Sequence, residues 1–185
     1  MTAVRPARAS DAAAIRDVTT RAFADAHVAA LVDTLAAGPA RVSLVAETDG
    51  AVVGHTMLSR GWVDAERELV EVLVLSPLSV EPAHQRGGIG SELVRAALTA
   101  AEQANAPAVF LEGARQYYAR FGFEPGEARG FTAPSPRIPG SAFQVVVLPA
   151  WQDWMTGALV YPDAFWAHDL VGLRGERLAQ VRAAE

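Results

Sequence analysis

The segment 69–103 constrains the fold more than any other part of the chain. It reads LVEVLVLSPLSVEPAHQRGGIGSELVRAALTAAEQ, and its apolar first part predicts a long strand ending at Val80. An amphipathic helix is predicted over residues 90–105, because apolar side chains recur four positions apart. The turn between them contains three glycines: Gly87, Gly88 and Gly90. A strand that enters a helix through glycines presents backbone N–H groups at the helix N-terminus, which is an arrangement that binds phosphate.

The rest of the chain predicts a mixed α/β (α+β-like) fold. Ser10 and Asp11 are suitable N-cap residues for a first helix. Asp49-Gly50 predicts a tight hairpin turn. The predicted elements besides segment 69–103 are a strand at 2–8, helices at 12–23 and 25–37, a hairpin at 41–63, a strand at 107–113, a short helix at 114–122 and a strand at 141–151. This order lacks the strict strand–helix alternation of a doubly wound sheet.

Composition narrows the classes of function. The 185 residues suit one domain, and the chain lacks an apolar run long enough for a membrane span or a secretory signal. The absence of cysteine excludes disulfides, thiolate metal ligands and cysteine nucleophiles. A net charge of −5 argues against a nucleic-acid partner, which a clustered basic face would attract. We therefore expect a cytoplasmic protein without a membrane or nucleic-acid partner.

Three kinds of phosphate-binding loop share a glycine-rich strand-to-helix turn. A P-loop requires a lysine, but all 16 basic residues here are arginine, so that interpretation is excluded. The dinucleotide fingerprint G-x-G-x-x-G requires a third glycine, and Leu93 occupies that position. What remains is QRGGIG, residues 85–90, which fits the pattern Q/R-x-x-G-x-G/A. An ordinary glycine-rich turn stays open as the alternative.

QRGGIG resembles the acyl-CoA-binding motif of the GNAT (Gcn5-related N-acetyltransferase) superfamily. The segments GHTMLSR and YYARFGF are most similar to its bacterial YhbS-like branch. The resemblance implies a GNAT fold and acetyl-CoA as co-substrate, with no metal. It also implies that the pyrophosphate is bound by residues of the loop and the helix start: Gln85, Arg86, Gly87, Gly88, Ile89, Gly90 and Ser91.

Pro77 lies inside the predicted strand 69–80, where a proline is unfavourable unless the strand bulges or lies at an edge. The resemblance implies that this strand splays from its neighbour. The backbone of Leu78, Ser79 and Val80 would then pair with the pantetheine arm of the cofactor. An edge-strand proline without function is the alternative.

Candidate catalytic residues also follow from the resemblance. YYARFGF matches a second signature of the superfamily, in which Tyr118 would protonate the departing CoA thiolate; packing in the core is the alternative. Glu71 lies on the predicted splayed strand, where some members place a base, and Glu112 ends the next strand. A solvated charge at a strand end is the alternative for both carboxylates.

The implied activity is transfer of an acetyl group from acetyl-CoA to a primary amine by direct attack. The acceptor is a small molecule or a peptide, with walls from the two N-terminal helices and the proline-rich loop 124–141. A non-catalytic acyl-CoA-binding or regulatory protein is the alternative. We expect a GNAT core at 1–150 and a C-terminal extension at 151–185 packed on the same domain. The tryptophans of this extension leave homodimer formation open.

Overall fold

The computed structural model describes residues 2–183, which form two compact units. The first comprises the chain up to Ser59 together with Leu75–Ala104. The second comprises Arg60–Val74 and the chain from Asn105 onward. The units share two long strands, so the chain passes from one unit to the other within a strand. In the part of the chain that is described, no helix combines the length and hydrophobicity needed to cross a membrane.

The first unit packs three helices on an antiparallel part of the sheet. Its elements are β1 (Thr2–Pro6), α1 (Ala12–Phe23), α2 (Ala26–Ala36), β2 (Ala40–Thr48), the first part of β3 (Ala51–Ala65), the last part of β4 (Leu69–Val80) and α3 (Ile89–Gln103). The β2–β3 turn has positive φ at Asp49 and Gly50, as the sequence predicts for a tight hairpin. Its core consists of apolar side chains from all three helices and from β2 and β3, among them Val18, Leu35, Val45, Met57 and Leu93.

The second unit is organised around a short buried strand. Its elements are the remaining parts of β3 and β4, β5 (Ala108–Glu112), α4 (Arg115–Tyr118), β6 (Glu124–Pro125), β7 (Phe131–Thr132), β8 (Phe143–Val147), β9 (Gly157–Val160), α5 (Asp163–Ala167) and α6 (Gly175–Arg182). The strand β5 pairs in parallel with β4 and antiparallel with β8. Phe110 of β5 contacts the rings of Phe131 and Phe143, which centres the core on this strand.

Two features of the fold differ from the sequence-based expectations. The Asp11 side chain does not cap α1. Its carboxylate accepts hydrogen bonds from the Arg8 N–H at 2.7 Å and from the Arg5 guanidinium at 2.7 and 3.1 Å. Asp11 thus ties β1 to the start of α1. Three short strands were not predicted: β6 and β7, which lie within the loop expected at 124–141, and β9. The strand β9 pairs antiparallel with β3 and in parallel with β7.

Candidate functional site

The glycine loop connects β4 to α3 in the first unit. Arg86 and Gly88 have positive φ values of 64° and 93°, so the chain curls before the helix begins. The N–H of Ser91 donates to the Gly88 carbonyl at 2.9 Å, which closes the first turn. The N–H groups of a helix's first turn have no acceptor inside the helix, and the helix dipole adds a positive potential there. The exposed turn can therefore bind an anion.

A close approach of α3 to β3 positions this helix N-terminus. A Cβ atom at Gly54 of β3 would lie 3.0 Å from Leu93 Cδ1, 3.2 Å from Ile89 Cγ2 and 3.3 Å from Ala46 Cβ. Any Cβ at this position would force these neighbouring side chains to give way, so a glycine suits the close approach of the helix. Gly54 was not among the predicted site residues, although a lone glycine inside a strand pattern signals a close backbone approach.

The last residues of β4 are anchored on one face. Pro77 accepts a hydrogen bond through its carbonyl from the Thr56 hydroxyl at 3.0 Å, and the Ser79 hydroxyl donates to Thr19 Oγ1 at 3.2 Å. Leu78 and Val80, which alternate with Pro77 and Ser79 along β4, are half-buried. The anchored face holds the strand end in place while the opposite face remains partly accessible.

Gln85, a predicted cofactor ligand, forms a hydrogen bond with the end of β4, the strand that precedes its loop. Its side-chain amide donates to the Val80 carbonyl at 3.0 Å across the loop. The next residue of the loop, Arg86, is exposed, and Ile89 is buried against β3. The predicted cofactor residues therefore lie in one stretch of the first unit, from the end of β4 through the glycine loop to the first turn of α3, but they differ in what they can offer a ligand.

Tyr118 lies at the end of α4 in the second unit. Its ring packs edge-on against Tyr117 at 4.8 Å and against Phe123 at 5.8 Å between centroids. Burial, and to a smaller extent the neighbouring Tyr117, raise the pKa of the Tyr118 phenol well above 10.0. The phenol consequently keeps its proton at neutral pH, which is the protonation state that a general acid needs.

The two candidate carboxylates, also in the second unit, have different surroundings. Glu71 is exposed on β4. Glu112 is half-buried at the end of β5 and accepts hydrogen bonds from the Gly172 N–H at 3.1 Å and from the Tyr161 hydroxyl. Burial raises the pKa of Glu112, against the opposing effects of Tyr161, Gly172 and Arg137. Glu112 thus also connects β5 to the C-terminal extension.

An open cleft of about 510 Å³ lies in the second unit. It is lined by residues of mixed charge and size: Asp64, Glu66, Arg67, Gly130, Trp154, Thr156 and Gly157. The Arg67 guanidinium lies 5.3 Å from the centre of the Trp154 ring, so the face of this indole already contacts a cation. The lining carries two carboxylates and one guanidinium, and this excess of negative charge suits a cationic ligand.

Comparisons with known proteins agree with this geometry. Residues 12–123 match the acetyltransferase (GNAT) family. The chain is 37% identical over 132 residues to the uncharacterized N-acetyltransferase YjhQ of Escherichia coli K12, covering 69% of this chain and 72% of that protein.

Two solved structures resemble most of the chain. The GNAT family N-acetyltransferase YhbS of Escherichia coli, in complex with CoA, has a TM-score of 0.79 and 29% identity, covering 89% of this chain and 91% of that one. A GNAT family acetyltransferase of Brucella melitensis, in complex with acetyl-CoA, has a TM-score of 0.72 and 34% identity, covering 89% and 98%.

Proposed function

The chain belongs to the GNAT family of acetyltransferases, and we propose that it transfers the acetyl group of acetyl-CoA to a primary amine by direct attack. The observation that carries the cofactor assignment is the exposed loop at the start of α3, with its positive φ at Arg86 and Gly88. Such a loop can bind a pyrophosphate through backbone N–H groups. The CoA and acetyl-CoA in the two similar structures support the same ligand here.

In this proposal the loop and the strand end bind different parts of the cofactor. The N–H groups at Gly87, Gly88 and Gly90 bind the pyrophosphate, and Arg86 adds a charge-assisted contact. The backbone of Leu78–Val80 pairs with the pantetheine amides in the manner of an added strand. Gln85 contributes by holding the loop to Val80 through its hydrogen bond at 3.0 Å.

Acetyl transfer needs both an acid and a base. The acceptor nitrogen forms a bond to the acetyl carbonyl carbon, and the bond from that carbon to sulfur breaks. Tyr118 donates its phenolic proton to the departing thiolate; its raised pKa keeps the proton in place at neutral pH and also makes the phenol a weaker acid. A carboxylate accepts the proton that the ammonium group must lose before attack. The nitrogen loses a second proton once it is bonded to the carbonyl carbon, and this proton restores the phenol of Tyr118.

Glu71 and Glu112 are the two candidates for this base. Glu71 is exposed and can pass a proton to water, which favours it. Glu112 already accepts hydrogen bonds from Gly172 and Tyr161, so its carboxylate also has a structural role. Replacing each by glutamine separates them, because loss of the base removes the acidic limb of the pH–rate profile.

The charges of the second-unit cleft support a cationic acceptor. Asp64 and Glu66 are two carboxylates against the single guanidinium of Arg67, which already lies over the Trp154 indole. An amine reaches the protein as an ammonium ion at neutral pH, and the excess of carboxylates attracts it. A non-catalytic acyl-CoA-binding protein would need the loop but neither Tyr118 nor an acceptor site.

Calorimetric titration with acetyl-CoA tests the cofactor assignment. A Gly88→Glu, Gly90→Glu double variant places two carboxylates where the pyrophosphate binds, and like charges in contact cost several kcal/mol. We expect the Kd to rise at least about a hundredfold, or about 3 kcal/mol. A Gly38→Glu, Gln103→Glu variant adds the same charge at exposed positions away from the loop.

The control variant should bind acetyl-CoA like the wild type. An equal loss of affinity in both variants would refute the loop assignment. Absence of binding to folded wild-type protein would refute the proposed activity. Binding would justify a screen of amines with thiol release as the readout, in which Tyr118→Phe is expected to lower kcat and leave acetyl-CoA affinity unchanged.

A further inference from the structure

We infer that Gly113 and Gln144 are positioning residues for Tyr118, because together they determine where its ring lies. Their relevance to catalysis rests on the proposed function, in which Tyr118 is the acid. Neither residue belongs to the glycine loop or to the YYARFGF signature. Both lie in the second unit with Tyr118, so the inference uses contacts within that unit alone.

Gly113 provides the surface on which the ring rests. A Cβ atom at Gly113 would overlap Cε2 of the Tyr118 ring and lie 3.0 Å from its Cδ2. The φ of Gly113 is outside the left-handed region, so an L-residue could adopt this backbone conformation. The close approach of the Tyr118 ring is therefore what requires a glycine here. Any side chain at this position must push the phenol away.

The N–H and the carbonyl of Gly113 are both hydrogen-bonded to residues around the start of β8. Its N–H donates to the Ala142 carbonyl at 3.0 Å, and its carbonyl accepts from Gln144 Nε2 at 2.8 Å. Gln144 lies on β8 directly opposite Leu111 of β5. Hydrogen bonds on both sides leave Gly113 little freedom to shift, so the ring that rests on it has a defined position.

Gln144 is an unusual residue for its environment. Its side chain is completely buried, and among residues 2–183 its Oε1 has no hydrogen-bond partner. Burying an unpaired amide oxygen is unfavourable, and an apolar side chain would avoid this cost. Packing alone therefore does not account for glutamine at this position, whereas its bond to the Gly113 carbonyl does.

A small displacement of the hydroxyl would matter for proton transfer. Misplacement of a reacting group by about 1 Å can lower a rate by about a hundredfold. Tyr117 and Phe123 also contact the Tyr118 ring. Gly113 limits how closely this ring can approach the end of β5. Variants at Gly113 and Gln144 should consequently act through Tyr118.

The test combines kinetics with a titration of the tyrosines. We expect Gly113→Ala and Gln144→Leu to lower kcat by about ten- to a hundredfold while acetyl-CoA affinity stays unchanged. The same substitutions in a Tyr118→Phe background should have little further effect on kcat. Gly38→Ala is the matched control, because a Cβ there has nothing within 4 Å.

The titration follows tyrosinate absorbance as the pH is raised through 10.0, the ordinary pKa of a phenol. In Gly113→Ala the Tyr118 ring should be displaced into water, and one additional tyrosine should then titrate near this pH. Adding Tyr118→Phe to this variant should remove the additional signal. If Gly113→Ala does not fold, Gln144→Leu provides both readouts, because it adds no atom against the ring.

Unchanged kcat and unchanged titration in a folded Gly113→Ala protein would overturn the inference. A kcat loss that adds fully to that of Tyr118→Phe would also overturn it. Should Tyr118→Phe alone leave the transfer rate unchanged, the acid assignment fails, and the titration still decides whether Gly113 and Gln144 position the ring.

Discussion

Lowering the pH from about 7 to about 4 should destabilise the first unit through one buried side chain, His55. This residue has no exposed surface, and its Nε2 lies 3.0 Å from Ser43 Oγ. In the described part of the chain, Nδ1 has no hydrogen-bond partner. Burial lowers the pKa of His55 from 6.5 to about 4. The fold therefore accommodates the neutral imidazole and disfavours the imidazolium.

The sign and size of the effect follow from proton linkage. As the pH falls through 6.5, the unfolded chain binds a proton that the folded protein does not bind until the pH is about 4. His55 therefore lowers the stability as the pH falls from 6.5 to about 4, and it has no further effect on stability below that pH. Each pKa unit corresponds to about 1.36 kcal/mol, so His55 should contribute a loss of roughly 3 kcal/mol.

Urea unfolding at the two pH values measures this loss. Circular dichroism is the suitable probe for the first unit, because α1, α2 and α3 lie there and all four tryptophans lie in the second. On acidification, the His55→Leu variant should lose roughly 3 kcal/mol less stability than the wild type. The exposed His84 provides the control, and His84→Leu should behave like the wild type. Equal losses in wild type and His55→Leu would refute the reasoning.

Two further outcomes are expected for stability. Gly54→Ala would bring a methyl group to 3.0 Å from Leu93, and such overpacking costs about 1–3 kcal/mol in urea unfolding, whereas Gly38→Ala, with nothing within 4 Å, should be nearly neutral. Burial raises the pKa of Glu112, so its contribution to stability is present below pH 4.5 and lost as the pH rises through the folded pKa. Glu112→Gln should flatten this decline, as measured by tryptophan fluorescence, and an unchanged slope would contradict the assignment.

The local elements of this protein could be predicted from the sequence alone. The bounds of β4 are those expected from its apolar run, and α1 begins and ends as its pattern indicates. Asp49-Gly50 gave the hairpin turn because its backbone preference is local. The glycine loop and YYARFGF identified the family for the same reason: each motif lies within a few consecutive residues.

Contacts between distant residues required the tertiary structure. The strand β9 has a weak pattern of its own and forms because β3 and β7 offer it edges to pair with. Asp11 has the chemistry of a helix cap, but the guanidinium of Arg5 offers its carboxylate a stronger, charged partner.

The candidate site also has one part that the sequence predicts and another that only the tertiary structure determines. The order of residues along the chain determined the glycine loop proposed to bind phosphate, since a helix N-terminus and its glycines are contiguous. The burial of His55, the position of the Tyr118 ring on Gly113 and the bond from Gln144 depend on which strands lie side by side. Burial and close approach are properties of that long-range packing, so only the folded chain decided them.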